Sequence, residues 1–360
     1  MAKTVLAIDI GSSTITAAVV SSANEDPLAL TPDTGDTWPA VVYAAANGAL
    51  VTDPTKAATK ITRFTRLLGR EAQVIAGSPR HADSLVASAL TPVLAAAANT
   101  FSGDPEVVVA TYPSTWPARV VDAYRHAVQA AAEASDVMLV PWSEAIAAQT
   151  YPPEPYVDCP VTSLDFGARS ASVTMVSVDE RGNSNVEYSI TNPTGGFVGA
   201  AHTVIASVAD RMGIDIADCQ ETWWETAASA LSTSRRQSSG ETMTVAFPDP
   251  IGPVDLAYAD VTELFVEYLG GFDDAVGVLD GLLKRAPVTQ RWTLEHNPLA
   301  ARPMVELTGG FSQDEAVQIA VRNITTVTPT LVQLPAHAAA WGAARVVYER
   351  TKRRLPAAAV

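Results

Sequence analysis

The chain is short of cysteine, of positive charge and of long apolar runs, and each shortage closes off a class of function. Its two cysteines, Cys159 and Cys219, lie far apart with no C-x-x-C spacing. That excludes a disulfide framework and reads as isolated thiols of a reducing compartment. The histidines (His81, His126, His202, His296 and His337) form no H-x-x-x-H or Cys/His ligand set, so no dedicated zinc site is expected. Lys and Arg number 24 against 39 Asp and Glu, giving a net charge of −15 and a pI near 4.7. A nucleic-acid surface needs clustered cations and is therefore not expected. A nucleotide in a local site, contacted by backbone N–H groups, remains compatible with that charge. No apolar stretch approaches the roughly 18 residues of a membrane span. Met1-Ala2-Lys3-Thr4 runs straight into a strand without a signal-peptide cleavage pattern. The expected location is the cytoplasm, with no membrane span and no nucleic-acid partner, so the sequon at Asn323-Ile324-Thr325 is read as a chance match.

What the chain does have is a repeat. With 360 residues, 48% of them hydrophobic and 18% charged, it is long enough for two globular lobes. Leu6-Ala7-Ile8-Asp9-Ile10-Gly11-Ser12-Ser13-Thr14 and Ser163-Leu164-Asp165-Phe166-Gly167-Ala168-Arg169-Ser170 share one pattern. Each is an apolar strand ending in Asp, then a Gly turn with hydroxyl residues, then a second strand. One hairpin per half-chain predicts two lobes facing each other across a cleft. The predicted boundaries are 1–158 for the first lobe, 159–346 for the second, and 347–360 for a tail or the start of a linker.

Between the hairpins, Trp38 to Tyr43 and Ala49 to Val51 read as short strands around an Asn47-Gly48 turn. Helical spacing marks 81–98, 118–134 and 142–149, with strands at 107–110 and 137–140. The continuous run Val107-Val108-Val109-Ala110 suits a strand buried on both faces. Strand–helix alternation of this kind implies an α/β lobe with parallel crossovers. In the second half, helices are expected from about 200 to 212, 222 to 232 and 261 to 283. Ser232 to Gln237 reads as a polar turn before a strand at 243–246, and Val186 to Ile190 as a further strand. Met304 to Leu307 is a strand followed by Thr308-Gly309-Gly310, and Ser312 to Glu315 reads as a capping box for the next helix. Pro335 opens a terminal helix.

The chemistry these residues suit is phosphate binding. A Gly after a strand-end Asp allows a turn with positive φ that brings backbone N–H groups toward an anion. Ser12, Ser13, Thr14 and Ser170 are candidate hydroxyl donors to phosphate oxygens. Asp9 and Asp165 are candidates for holding a hydrated Mg²⁺, whose usual environment is a few carboxylates plus water. The plain alternative is that each Asp merely caps its own turn. Gly309-Gly310 at a strand's carboxyl end would admit a flat ligand, and Gly195-Gly196 precede a helix start, a ready anion site.

The order of these motifs resembles that of the Hsp70 nucleotide-binding domain, in the actin/sugar-kinase/Hsp70 superfamily, over about residues 3 to 346. Asp9-Ile10-Gly11-Ser12-Ser13 is similar to the first phosphate motif, Asp165-Phe166-Gly167 to the second, and Thr308-Gly309-Gly310-Phe311-Ser312 to the adenosine motif. Arg66 to Arg70, Val107 to Pro113, Glu144 to Ala148 and Ala339 to Ala344 have counterparts in the same order. The resemblance implies an actin-like ATPase fold, two lobes built from duplicated ribonuclease H-like units around a central nucleotide cleft. It also implies ATP or ADP with Mg²⁺ as ligand, a protein partner, hydrolysis depending on Asp9 and Asp165, and a ribose contact at Glu225.

The departures from the family pattern bear on activity. The family's catalytic lysine position is held by Thr65, and an acidic position falls on Trp142. The second phosphate motif continues as Ala168-Arg169, where an Arg either pairs with phosphate or fills its site. The adenine-stacking basic positions fall on Ala228 and Ser229, and the acidic residue at the last helix on Ala336. Three expectations stay open: an ATP-binding protein with slow hydrolysis, a pseudo-ATPase used as a binding scaffold, and a sugar or small-acid kinase of the same superfamily. No β-rich peptide-binding region follows residue 346, so the chain is read as a stand-alone form or as part of a longer protein.

Overall fold

A computed structural model describes residues 4–22, 24–133, 135–149, 161–178, 184–238, 240–272, 275–285, 304–325 and 329–354. The chain divides into two compact units. Unit 1 comprises Met1–Val157, Val176–Glu187 and Ala336–Val360; unit 2 comprises Asp158–Met175 and Tyr188–Pro335.

Unit 1 opens with the antiparallel strands β1 (Val5–Ile10), β2 (Thr14–Ser21) and β3 (Asn24–Leu30). Short β4 (Trp38–Pro39) pairs with β2. β5 (Val41–Ala44), β6 (Leu50–Val51) and β7 (Thr59–Thr62) make a small sheet, turning at Asn47-Gly48 as the sequence suggests. A hairpin, β8 (Gln73–Ile75) and β9 (Ser78–Arg80), leads to α1 (Ala82–Phe101). Then follow β10 (Val107–Tyr112), α2 (Ala118–Ala131), β11 (Asp136–Pro141) and α3 (Trp142–Gln149). The main sheet has the order β11-β10-β1-β2-β3, with β1, β10 and β11 parallel.

Period-two alternation sends successive residues of a strand to opposite faces, and here both faces are apolar. Leu6, Ile8, Val108 and Ala110 pack on Leu85, Leu90 and Val93 of α1 and on Ala127 and Val128 of α2. Val5, Ala7, Val107 and Val109 pack on Ala145 of α3 and on Ala340, Ala343 and Val347 near the chain's end. Cover on both sides is why β1 and β10 read as unbroken apolar runs. Among the described residues, α1 alone is long and apolar enough to cross a membrane; instead it lays Leu85, Val86, Leu90 and Val93 into this core.

Unit 2 repeats the scheme. β12 (Val161–Phe166), β13 (Ala171–Val178) and β14 (Ser184–Asn192) come first, residues 176–178 and 184–187 of the last two grouping with unit 1, then α4 (Phe197–Met212) and α5 (Glu221–Gln237). The ribbon β15 (Thr242–Ala246) and β16 (Pro253–Ala257) precedes α6 (Tyr258–Gly270). A two-strand ribbon, β17 (Gly271–Phe272) and β18 (Ala275–Val276), is followed by α7 (Val278–Lys284). β19 (Met304–Thr308), α8 (Glu315–Thr325) and β20 (Thr330–Leu331) complete the unit. The sheet order is β14-β13-β12-β19-β20, with β12, β19 and β20 parallel. Reversed, the unit 1 order is three consecutive strands and then two parallel additions, which is the same plan.

One face of the unit 2 sheet is apolar: Leu164, Phe166, Val173, Met175, Val305 and Leu307 pack on α4, α5, α6 and α8. The other bears hydroxyl groups, with Ser172 and Thr174 of β13 bonded to Thr191 and Ser189 of β14 at 2.9 and 3.1 Å.

Several sequence expectations are corrected. Ser232 to Gln237 is no turn, because α5 continues through Gln237 with Arg235 buried in its last turn. The expected helix over 261–283 is two helices, divided where Gly271 (φ 91°) ends α6 and the β17–β18 ribbon intervenes. The capping box is absent: Ser312 lies in a 3-10 turn, and Asp314 Oδ1 caps α8 by accepting from the Ala316 N–H at 3.0 Å. The terminal helix α9 (Ala338–Arg354) extends past residue 346 and groups with unit 1, not with the second lobe. It closes on α3 where Gly342 meets the Ala145 carbonyl, and the Trp341 indole N–H donates to the Pro27 carbonyl.

Candidate functional site

Each unit holds its Asp–Gly hairpin at the carboxyl end of its parallel strands, where α/β sheets present ligand sites. In unit 1 the Gly11 N–H donates to the Thr14 carbonyl at 2.9 Å; in unit 2 the Gly167 N–H donates to the Ser170 carbonyl at 2.9 Å. The two turns are closed by the same bond, three residues apart in each case. Neither glycine has positive φ, which corrects the conformational reason expected from sequence. The requirement at Gly11 is room: a Cβ there would lie 3.0 Å from the Thr14 carbonyl oxygen.

Asp9 Oδ1 accepts from the Thr111 hydroxyl, and Asp165 Oδ1 accepts from the Thr308 hydroxyl at 3.1 Å. Thr111 and Thr308 sit one strand over, on β10 and β19. Sequence reasoning missed Thr111, since a threonine at a strand end carries no signal until the neighbouring strand is known.

Asp9 is only half-buried by surface area, yet its carboxyl is crowded by protein atoms. That desolvation raises its pKa above the ordinary 3.8, with the Thr111 hydrogen bond and the charge of His337 acting in the opposite direction. A folded-state value above the unfolded one means that the charged form costs stability. The stability tied to the protonated carboxyl is present below the unfolded pKa and is lost as pH rises through the folded value. Asp9→Asn keeps an oxygen for Thr111 and removes the charge. It should raise the melting temperature at pH 7 by about 2–4 °C, with the gain vanishing as the pH falls below about 4, as a calorimetric pH series will show.

Around Asp9, Ser12 and Gly11 are half-buried and Ser13 and Thr14 exposed. The Ser13 carbonyl accepts from the Ala40 N–H at 2.8 Å, fixing the turn, and the residue itself is exposed. Thr16, opposite Asp9 in register, has a buried hydroxyl with no hydrogen-bond partner among the described residues. Burial, and secondarily Asp9, raise the pKa of Tyr124 beyond its ordinary value.

In unit 2 more of the predicted residues come together. Gly309 (φ 85°) passes so close to β12 that a Cβ would lie 2.5 Å from the Phe166 carbonyl oxygen and 2.7 Å from Asp165 Oδ1. The Gly196, Phe197 and Val198 N–H groups at the start of α4 donate to the Arg169, Gly167 and Ala168 carbonyls at 3.0, 3.1 and 2.8 Å. The helix N-terminus is therefore bonded to the hairpin itself. This changes the expected role of Gly195 and Gly196: they let α4 dock, with a Cβ at Gly196 falling 2.5 Å from the Gly167 carbonyl oxygen.

Arg169 Nη2 donates to Glu225 Oε1 of α5 at 2.6 Å, so the hairpin's Arg and the expected ribose contact engage each other. Gly310 is exposed. Ser312 is fully buried and its hydroxyl donates to the Gly309 carbonyl at 2.6 Å, so it shapes the turn and is not presented to a ligand. Ala228 is buried in the unit 2 core and Ser229 exposed.

The remaining substituted positions lie in unit 1. Thr65 is in a 3-10 turn, Phe64–Leu67, and Trp142 begins α3. Elsewhere on unit 2, a shallow depression lined by Cys219, Gln220, Trp223, Thr226 and Pro248 contains none of these groups. Among the described residues no cluster of three His, Cys, Asp or Glu side chains is present. Compared with known protein families and with curated proteins, the sequence matches none.

Proposed function

We propose that the chain is a divergent Hsp70-like nucleotide-binding protein that takes ATP or ADP with Mg²⁺ on its Asp–Gly hairpins, hydrolyses slowly, and passes its nucleotide state to a protein partner. The observation that carries this reading is the repetition. Two sheets of one strand plan each end in a Gly turn closed at 2.9 Å, beside an Asp held by a Thr of the next parallel strand. A duplicated ribonuclease H-like unit, as in actin-like ATPases, accounts for that repetition.

The donor set suits the ligand. A carboxylate with waters is a normal Mg²⁺ environment, and each hairpin supplies one, Asp9 in unit 1 and Asp165 in unit 2. The exposed residues Ser13 and Thr14 carry hydroxyls of the kind that suit phosphate oxygens. Hydrolysis in such a site rests on positioning a water and stabilising phosphoryl charge. With Thr65 and Trp142 where the family has Lys and an acid, slow turnover is the expected result. Bound Mg²⁺ would supply charge stabilisation on the phosphates.

Titration calorimetry with ATP and Mg²⁺ tests the reading. Binding in the micromolar to sub-millimolar range is expected, falling below detection in Asp165→Ala; no heat at millimolar ATP would sink it. The Arg169–Glu225 ion pair favours a second reading, a pseudo-ATPase scaffold whose hairpin Arg is engaged from within.

A further inference from the structure

We infer that Thr111 and Thr308 are positioning residues, each aiming the Asp carboxylate of its own unit, and so set how strongly that carboxylate engages a divalent cation; this rests on the nucleotide reading above. The same device occurs twice, once in each unit. Asp9 and Asp165 each occupy the fifth position of their strands, β1 and β12. Thr111 and Thr308 each occupy the fifth position of the adjacent parallel strand, β10 and β19. The register continues through Ile8↔Ala110 and reaches Asp165↔Thr308, so the side chains of each pair lie on one face of their sheet. Both threonines are buried, at 3% and 0% exposure, and in both pairs the acceptor is Oδ1.

A hydroxyl bonded to one carboxylate oxygen fixes the rotation of the whole group, because Asp has only one further torsion beyond χ1 and that torsion is broad when unrestrained. In unit 2 the consequence is visible. Asp165 Oδ1 is on the side of Thr308 and Gly309, while Oδ2 is on the side of Gly167, 3.9 Å from where a Cβ of that glycine would be. Oδ2 is thus the oxygen on the side of the phosphate hairpin. A divalent cation held by few carboxylates and several waters is sensitive to such orientation, as outer-shell partners of metal ligands generally show.

A threonine in a buried strand can also be there only for its β-branched shape. Valine copies that shape and lacks the hydroxyl, so Thr111→Val and Thr308→Val separate the two roles. ATP affinity of the full chain would be measured by calorimetry with Mg²⁺ and again in EDTA, alongside thermal melting. We expect the gain in affinity due to Mg²⁺ to fall about tenfold in each valine variant, affinity in EDTA to stay within about twofold, and Thr→Ser at either position to restore the gain.

Valine variants that melt earlier yet keep the wild-type Mg²⁺ gain would overturn the inference and leave the nucleotide reading standing. If a valine variant fails to fold, the serine variant decides: it keeps the donor, and loss of the Mg²⁺ gain there overturns the inference. A wild-type chain that binds no ATP under either condition overturns the nucleotide reading, and the inference with it.

Discussion

Asp314→Ala should destabilise unit 2 by about 3–5 kcal/mol, the cost typical of removing one partner from a buried ion pair. Arg235 is 5% exposed and makes a two-point contact with Asp314, Nε to Oδ2 at 2.5 Å and Nη2 to Oδ1 at 2.7 Å. Nη2 also donates to the Thr262 hydroxyl at 3.0 Å, and the guanidinium stands 4.3 Å above the Tyr258 ring and 5.0 Å from the Phe265 ring. One side chain thereby ties α5, α6 and the turn before α8 together. Without Asp314 a cation stays buried against rings that offset only part of its lost hydration, about 2 kcal/mol at best. The expected loss is a large fraction of the 5–15 kcal/mol that domains typically possess. Equilibrium urea unfolding monitored by tryptophan fluorescence reports it, since Trp223 and Trp224 lie on α5. The double variant Arg235→Met/Asp314→Leu should recover most of the loss, because both desolvation costs are removed together. A loss below about 1 kcal/mol for Asp314→Ala would place the pair among ordinary surface contacts.

The same ion pair shows why this part of the fold was illegible in sequence. Ser232-Thr233-Ser234-Arg235-Arg236-Gln237 is polar enough to read as a turn. What makes Arg235 a core residue is Asp314, far along the chain and invisible to any local pattern. The 261–283 stretch reads as one helix for another reason: apolar residues continue at helical spacing through the break, and the positive φ of Gly271 turns the chain out of α6. Strands fared better. β1 and β10 are legible as unbroken apolar runs because each face of the sheet meets its own helices. The Asp–Gly hairpins stood out through their repetition, and their equal closure was implicit in that repeat. Their carboxylate partners were not, since Thr111 and Thr308 become neighbours of Asp9 and Asp165 only after parallel pairing. The sequence places the terminal helix in the second lobe and the structure groups it with unit 1, because a helical apolar stripe records that a partner exists and not which sheet supplies it.

Arg169→Ala is expected to weaken ATP binding about tenfold to a hundredfold, and the sign of its effect separates the two functional readings. In the second hairpin the Gly167 amide is spent on closing the turn. The amides of Gly196, Phe197 and Val198, which would otherwise make α4 an anion site, are spent on the hairpin carbonyls. Phosphate recognition in unit 2 therefore falls heavily on the side chain at 169. A hydrogen bond to a charged group contributes about 1.5–3 kcal/mol, and each 1.4 kcal/mol is about tenfold in affinity, hence the expected range. Glu225 already holds Arg169 at 2.6 Å, so a phosphate must share or displace that carboxylate. If Arg169 instead fills the phosphate position, its removal opens space and ATP binds more tightly in the variant than in the wild type. Adenosine provides the internal control. It has no phosphate, so its affinity should stay within about twofold in Arg169→Ala if the guanidinium acts on phosphate alone. Parallel calorimetric titrations with ATP and adenosine thus distinguish a phosphate-binding arginine from one that occludes the site.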